Sequence, residues 1–443
     1  MQTAAFSPRV YRIEPPTRRF SNLVAPDGDW LGCPDGRSVA TQARVDDAAI
    51  WEQATGGFRH VASGLLVAAG DGAAEGTVRL SLGDVDIGAD GAAGAGADYR
   101  PAHGPTRLPS DYLADFRAQG WVALECVLPP DVVDGLQRLG GVDAYEGEPM
   151  DRSRHLQLDP AMARSTVEPL SLWLCRQYMR VDDIKLGHPP SVTALTPDDG
   201  ERAVQGWHGD FPYMWGSERS RLGYRAPPGS DELVLAVQRN ICVSDFRLDN
   251  GATVFSLASF KTPGLPPEAW GRALRTYRPG DRQENGLPYG GEGTDVIEAP
   301  AGTILLYDAR IWHRAGMNMT NRRRGAVIQA ITPGFIIPFM PMGGPYRLDG
   351  ERGPGEDDAA RATRDGEPVR AQDLRPDGLV RPRRGRRAHP AHPGCGPGQG
   401  GGLLIGGRFG RGIPPPGPDG LGAEQGEPLA QHVSVAGRQE FGA

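Results

Sequence analysis

With 443 residues, 39% hydrophobic and 23% charged, the chain has the composition of a globular protein long enough for more than one domain. Its 48 Lys and Arg against 55 Asp and Glu give a net charge of -7, which argues against a whole-protein attraction to nucleic acid or anionic lipid and leaves a small molecule as the expected partner. Five cysteines, scattered and without a CxxC pair, do not make a disulfide framework or a zinc ribbon. The first residues lack the basic-then-apolar pattern of a secretory leader, and no window approaches membrane-span length, so a cytoplasmic, reduced protein is expected.

Residues 1–105 read as an extension. Its runs IWEQATGGFRHVASGLLVAAG and GTVRLSLGDVDIG hold short β-prone stretches broken by Gly, and the Gly/Ala run DGAAGAGADYRPAHGP reads as a linker. These residues allow either a small β subdomain or an irregular extension packed on the main body. From Leu108 the texture changes. PSDYLADFRAQG predicts a helix with Ser110 as N-cap and Gly120 at its end, followed by a strand in WVALECVL. PPDVVDGLQRLGG predicts a second helix with Pro in its first turn, and VEPLSLWLCRQYMR a third. The pattern then turns to β: IKLGHPPSVTAL, the HGD segment, ELVLAVQRNICVSDF, GATVFSLASF, GTILLYD and RRGAVIQAITPGFIIPF, separated by loops rich in Gly, Pro and Asp. Helices followed by many strands of antiparallel type indicate an α+β chain whose catalytic part, over residues 106–350, is a double-sheet jelly roll. Residues 351–443 are low in complexity and read as a disordered tail, with Arg381–Arg387 as a solvated charged run.

Within the β region, His208 and Asp210 stand two apart in VQGWHGDFPYMW, and on an extended segment that spacing puts both side chains on one face. Trp207 and Phe211 flank the pair with bulk for the opposite face. His313, after the apolar run GTILLYDARIW, can meet the pair from another strand. Two imidazoles and one carboxylate on one side of a metal form the facial triad of non-heme Fe(II) oxygenases, which leaves positions open for a co-substrate and dioxygen. His60, His103, His155, His188, His389, His392 and His432 have no partner at ligand spacing. Gln238 and Asn240 share one strand face and either reach the co-substrate or bond within the sheet. Tyr213 and Trp215 follow Asp210 closely enough to line a substrate pocket.

Residues 108–344 resemble the phytanoyl-CoA dioxygenase family of Fe(II)- and 2-oxoglutarate-dependent oxygenases. The likeness rests on DYLADFRAQGWVALECVLPPDVVDGL, HGDFPYMW, DFRLDNGATVF and WHRAGMNMTNRRRGAVI, in that order. The last motif has a His, then Gly-x-Asn, then an Arg eleven residues after the His. The resemblance implies a double-stranded β-helix with flanking helices, iron held by His208, Asp210 and His313, and Arg324 on the distal carboxylate of 2-oxoglutarate. A guanidinium fork suits a carboxylate. Alternation lets Arg322 and Arg324 share a face, and only the family spacing selects Arg324 from the three consecutive arginines. The implied cofactors are Fe(II), 2-oxoglutarate and O2. The implied reaction hydroxylates an unactivated C–H bond with release of succinate and CO2, and Asp210 argues against halogenation because related halogenases carry a small residue there. One departure from the family stands at Leu257-Ala258-Ser259-Phe260, where the family has Pro-Gly-Ser-His.

Two other readings fit the same ligands: a catalytically inactive metal- or ligand-binding module on this fold, and a cupin-like metalloenzyme that does not use 2-oxoglutarate. Loss of Arg324 separates the second from the oxygenase. The substrate and the oligomeric state are not written in the sequence.

Overall fold

The computed structural model describes residues 8–336, except 71–73, 82–85, 88–97, 200–203, 211, 214–233, 263–265, 267–275 and 278–292. The expected tail, Phe211 and Trp215 lie outside the described residues.

The chain opens with β1 (Arg9–Arg12) and then runs through nine short strands: β2 (Ser21–Val24), β3 (Trp30–Gly32), β4 (Ser38–Gln42), β5 (Trp51–Ala54), β6 (Gly57–His60), β7 (Leu66–Gly70), β8 (Val78–Ser81), β9 (Asp86–Ile87) and β10 (Asp98–His103). β2 to β10 form one sheet in the order β10-β8-β7-β6-β5-β2-β3-β4-β9, and β10 also pairs with β2, so six of the strands close into a ring. β10 lies in the run that reads as a linker; its pairing with two neighbours outweighs the Gly/Ala composition just before it. Leu23, Leu31, Val39, Trp51, Phe58 and Val67 fill the ring, and the Trp51 indole donates to the Leu31 carbonyl at 2.9 Å.

Helices follow. α1 (Pro109–Gln119) leads into β11 (Trp121–Leu124), and then come α2 (Pro130–Gly140), α3 (His155–Leu158), α4 (Pro160–Thr166) and α5 (Pro169–Met179). Ser110 is not the N-cap of α1. Pro109 occupies the first turn after Leu108, and the acceptor for the Ser110 N–H is the Asp47 carboxylate, 2.8 Å away, which arrives from the 3-10 turn between β4 and β5. Gly120 ends α1 in the left-handed conformation (φ 77°), where an added Cβ would lie 2.6 Å from the Phe260 ring. Glu168 caps α5 with bonds from the Leu170 and Ser171 N–H groups.

The remaining strands are β12 (Ile184–Leu186), β13 (Val192–Leu195), β14 (Val204–Gln205), β15 (Val237–Cys242), β16 (Val254–Ser256), β17 (Thr276–Tyr277), β18 (Asp295–Glu298), β19 (Ile304–Asp308), β20 (Trp312–Arg314) and β21 (Arg324–Pro333). A major sheet runs β11-β19-β15-β21-β12, with β13 also on β21, and a minor sheet runs β1-β18-β16-β20. The extension therefore lends β1 to the minor sheet, parallel to β18. The stretch GATVFSLASF is strand only as far as Ser256. Leu257–Lys261 turns into a 3-10 helix whose start is held by the Leu257 N–H on the Asp295 carboxylate at 3.0 Å.

Alternation along the major sheet sorts its side chains. Ile304 and Leu306 of β19, Val237 and Ile241 of β15, and Val327 and Ile331 of β21 pack with the helices, where Val24, Trp30 and Ile50 of the N-terminal sheet join the same core. Leu305, Tyr307, Cys242 and Ala326 point the other way and pack with Phe255 and Ile297 of the minor sheet. On the helix side the fully buried Arg239 donates to Gln329 (2.9 Å), Ser171 (2.9 Å) and the Thr166 carbonyl (2.7 Å), so a charged residue in mid-strand is accommodated by fixed acceptors. Among the described residues, no helix is long and apolar enough to cross a membrane.

Candidate metal centre

His313 lies on β20, and the otherwise irregular segment at His208 joins it through one antiparallel bridge: His208 N–H to the His313 carbonyl at 3.0 Å and His313 N–H to the His208 carbonyl at 2.9 Å. Their rings stand 4.4 Å apart. Each imidazole is locked the same way. His208 Nδ1 lies 2.8 Å from the Gly206 carbonyl and His313 Nδ1 lies 3.0 Å from the Ile311 carbonyl, which assigns the proton to Nδ1 and leaves both Nε2 lone pairs facing the centre.

Asp210 completes the group, and the ligand atoms of the three residues all lie within 4.8 Å of one another. Its carboxylate is 3.2 Å from His313 Nε2 and 3.9 Å from His208 Nε2. Burial pushes both imidazoles down to about 4, so they are neutral near pH 7, and it pushes Asp210 up to about 6 against the opposing pull of His208 and His188. Neutral imidazole is the metal-binding form. A half-buried carboxylate beside two such nitrogens is a donor set suited to a divalent ion.

Backbone and side-chain struts hold Asp210. Its N–H donates to the Ala309 carbonyl at 2.8 Å, and its carbonyl accepts from the Tyr213 N–H at 2.6 Å. The Tyr213 hydroxyl accepts the Leu235 N–H at 2.7 Å, and the Arg310 guanidinium sits 6.0 Å from the Tyr213 ring centre. Arg310 in turn grips Asp308 at 2.9 and 2.7 Å, and Asp308 accepts from Tyr178, whose ring stacks on Phe116 at 3.7 Å. Tyr213 thus acts as a strut from the helical layer to the carboxylate's backbone.

The three consecutive arginines part company. Arg322 is exposed on Glu146 at 3.1 Å, and Arg323 reaches toward Glu148 at 3.9 Å. Arg324 turns inward: it is 8% exposed, donates to the Gly251 carbonyl at 2.7 Å, and lies 4.4 Å from the Phe246 ring centre. Gln238 and Asn240 are on the same inner face of the major sheet, cross-strand from Tyr307 and Leu305. Tyr307 packs edge-on against His313 at 5.4 Å. The Gln238 Oε1 and Asn240 Oδ1 atoms are buried and have no partner among the described residues. Among the described residues, His60, His103, His155 and His188 do not join the cluster. His155 accepts the Val192 N–H at 3.0 Å, His60 bonds Ser63 at 2.7 Å, and His188 sits within charge reach of Asp210, a placement that spacing in the sequence does not disclose.

Comparison with known proteins gives the family. Residues 116–326 match the sequence model described as phytanoyl-CoA dioxygenase (PhyH). No curated protein matches. Similar solved structures include the non-heme alpha ketoglutarate dependent epimerase SnoN from nogalamycin biosynthesis, 16% identical with a TM-score of 0.34 over 51% of this chain and 80% of that one. SnoN in complex with Fe3+, alpha ketoglutarate and nogalamycin RO is 15% identical with a TM-score of 0.36, over 55% and 91%. HygX from Streptomyces hygroscopicus, with nickel and 2-oxoglutarate bound, is 18% identical with a TM-score of 0.38, over 53% and 90%. Likenesses of that size carry no argument about this chain's chemistry. The family match does: residues 116–326 of this chain, which supply His208, Asp210, His313 and Arg324, belong to the phytanoyl-CoA dioxygenase family.

Proposed function

We propose that the chain is an Fe(II)- and 2-oxoglutarate-dependent dioxygenase that hydroxylates an unactivated C–H bond of a small molecule, releasing succinate and CO2. The catalytic unit in this reading is a double-stranded β-helix over residues 106–350, with β1 added to its minor sheet. The observation that carries the reading is the convergence of His208, Asp210 and His313, whose ligand atoms lie within 4.8 Å of one another with both Nε2 atoms turned inward. Three protein ligands on one side of an iron leave positions for a chelating co-substrate and for dioxygen.

In this reading His208, Asp210 and His313 hold the iron, which when bound supplies the oxidising chemistry. Arg324 binds the distal carboxylate of 2-oxoglutarate, since an inward guanidinium on an otherwise apolar strand face is a fixed fork for that group. On the same inner face as Arg324, Cys242 and Ala326 are small, and Gln238 and Asn240 carry amide oxygens without partners among the described residues. A carboxamide exchanges donor and acceptor on rotation, so each can offer N–H to the co-substrate. Tyr307, its phenol kept protonated by burial, packs edge-on against His313.

The test is a calorimetric titration of 2-oxoglutarate into the Zn(II)-loaded protein. Losing the charged bonds from Arg324 costs ~3 kcal/mol, or on the order of a hundredfold in affinity, for Arg324→Ala. Equal affinity in the two proteins would favour a metalloenzyme that does not use 2-oxoglutarate.

A further inference from the structure

Beside the proposed co-substrate position lies a second cation that the function above does not use. Arg152 is held at the β13 edge of the major sheet, where its guanidinium donates to Thr193 Oγ1 at 2.8 Å and reaches Ser191 Oγ at 3.4 Å. The segment carrying it is itself fixed. The buried His155 accepts the Val192 N–H at 3.0 Å and bonds the Met150 carbonyl at 3.1 Å, tying the turn before α3 to β13.

Register shows which way this group faces. Thr193 is opposite Ala326, and Leu195 opposite Arg324, so Thr193 is on the inner face with Arg324 and Ala326. Ile328 continues that face and is 42% exposed although its strand neighbours Val327 and Gln329 are fully buried. The inner face is therefore open beside Arg152. Among the described residues no carboxylate pairs with Arg152: its hydrogen bonds go to the two hydroxyls, and burial lowers its pKa with no acidic neighbour raising it. His188, in the loop between β12 and β13, has its Nδ1 3.1 Å from the Pro189 carbonyl. An accessible guanidinium without a counter-charge among the described residues, fixed by two hydroxyls on an open sheet face, is the feature expected where an anion is to be bound.

We propose that Arg152, with Thr193, forms an anion-recognition site on the inner face of the major sheet beside the proposed co-substrate position, and that the molecule oxidised here carries a carboxylate or a comparable anionic group. The site rests on the oxygenase reading for its role in turnover but not for its existence. Benzoate and benzamide, alike in shape and different in charge, serve as probes in saturation-transfer NMR on the full chain loaded with Zn(II) and saturating 2-oxoglutarate. Benzoate should bind at least tenfold more tightly than benzamide. Arg152→Gln should abolish that preference and Arg152→Lys should keep part of it, with thermal melting as the check on folding; if Arg152→Gln fails to fold, Thr193→Val should weaken benzoate several-fold in its place. The proposal is overturned if the two probes bind alike, or if the folded Arg152→Gln protein prefers benzoate as the wild type does. Failure of the oxygenase reading shows separately, as absent 2-oxoglutarate binding, and the probes are then compared on the metal-free protein. There, a preference lost in Arg324→Ala but kept in Arg152→Gln places the anion at the other arginine and also overturns the proposal.

Discussion

Asn318 sits at the hinge of the turn that carries His313 on one side and Arg324 on the other, and its replacement gives a test whose size follows from its bonds. The side chain is fully buried. Its Nδ2 donates to the Leu195 carbonyl at 3.0 Å and the Arg322 carbonyl at 2.7 Å, while its Oδ1 accepts from the Thr320 N–H at 3.1 Å and hydroxyl at 2.6 Å. Asn318→Ala deletes all four bonds. At ~1 kcal/mol each, and with the Leu195 carbonyl left buried, the cost is about 3–4 kcal/mol. For a domain of this size that lowers the melting midpoint by roughly 6–16 °C. Asn318→Asp keeps the acceptors but sets a carboxylate against two carbonyl oxygens, which adds an unfavourable contact and raises the new group's pKa in the folded state. Stability is then retained at low pH, where the protonated carboxyl can donate to one carbonyl, and lost as pH rises through that folded pKa. Melting by circular dichroism at pH 5 and pH 8 should therefore place Asn318→Asp below Asn318→Ala at pH 8 and narrow the gap at pH 5. An Asn318→Asp protein that melts like the wild type at pH 8 would refute the reasoning.

Tyr213→Phe removes the acceptor of the Leu235 N–H while leaving the ring beside Arg310, so Zn(II) affinity measured against a chelating dye should fall about fivefold, a fraction of the ~1–3 kcal/mol cost of orphaning that N–H. Unchanged affinity would remove Tyr213 as a strut for Asp210. Burial pushes the Cys175 thiol up to about 12, so iodoacetamide at pH 8 should leave it unmodified in the native protein and label it in denaturant. Peptide mass spectrometry reads this directly, and prompt native labelling would contradict its placement on the buried face of α5.

The proximity of His208, Asp210 and His313 was legible because a two-residue spacing and an apolar approach strand are local signals. What the chain order hides is the partner far away in sequence. Arg322, Arg323 and Arg324 look equivalent until Glu146 and Glu148 take the first two outward. Ser110 reads as a cap because the true acceptor, Asp47, comes from the connection between β4 and β5, far back in the chain. The 3-10 turn at Leu257–Lys261 has a β-like composition, but Asp295, far along the chain, accepts its first N–H. His155 and His188 lack ligand spacing and indeed fall outside the cluster, yet His155 pins β13 through the Val192 N–H, a role set by packing alone.

Succinate formation tests the central claim most directly. Purified full-length protein with Fe(II), ascorbate, O2 and 2-oxoglutarate should release succinate and CO2 in equal amounts, faster once an acceptor molecule is supplied, and Asp210→Ala should lose that turnover. No succinate from iron-loaded wild-type protein across a broad panel of small acids and their neutral counterparts, or equal release from Asp210→Ala, would contradict the account.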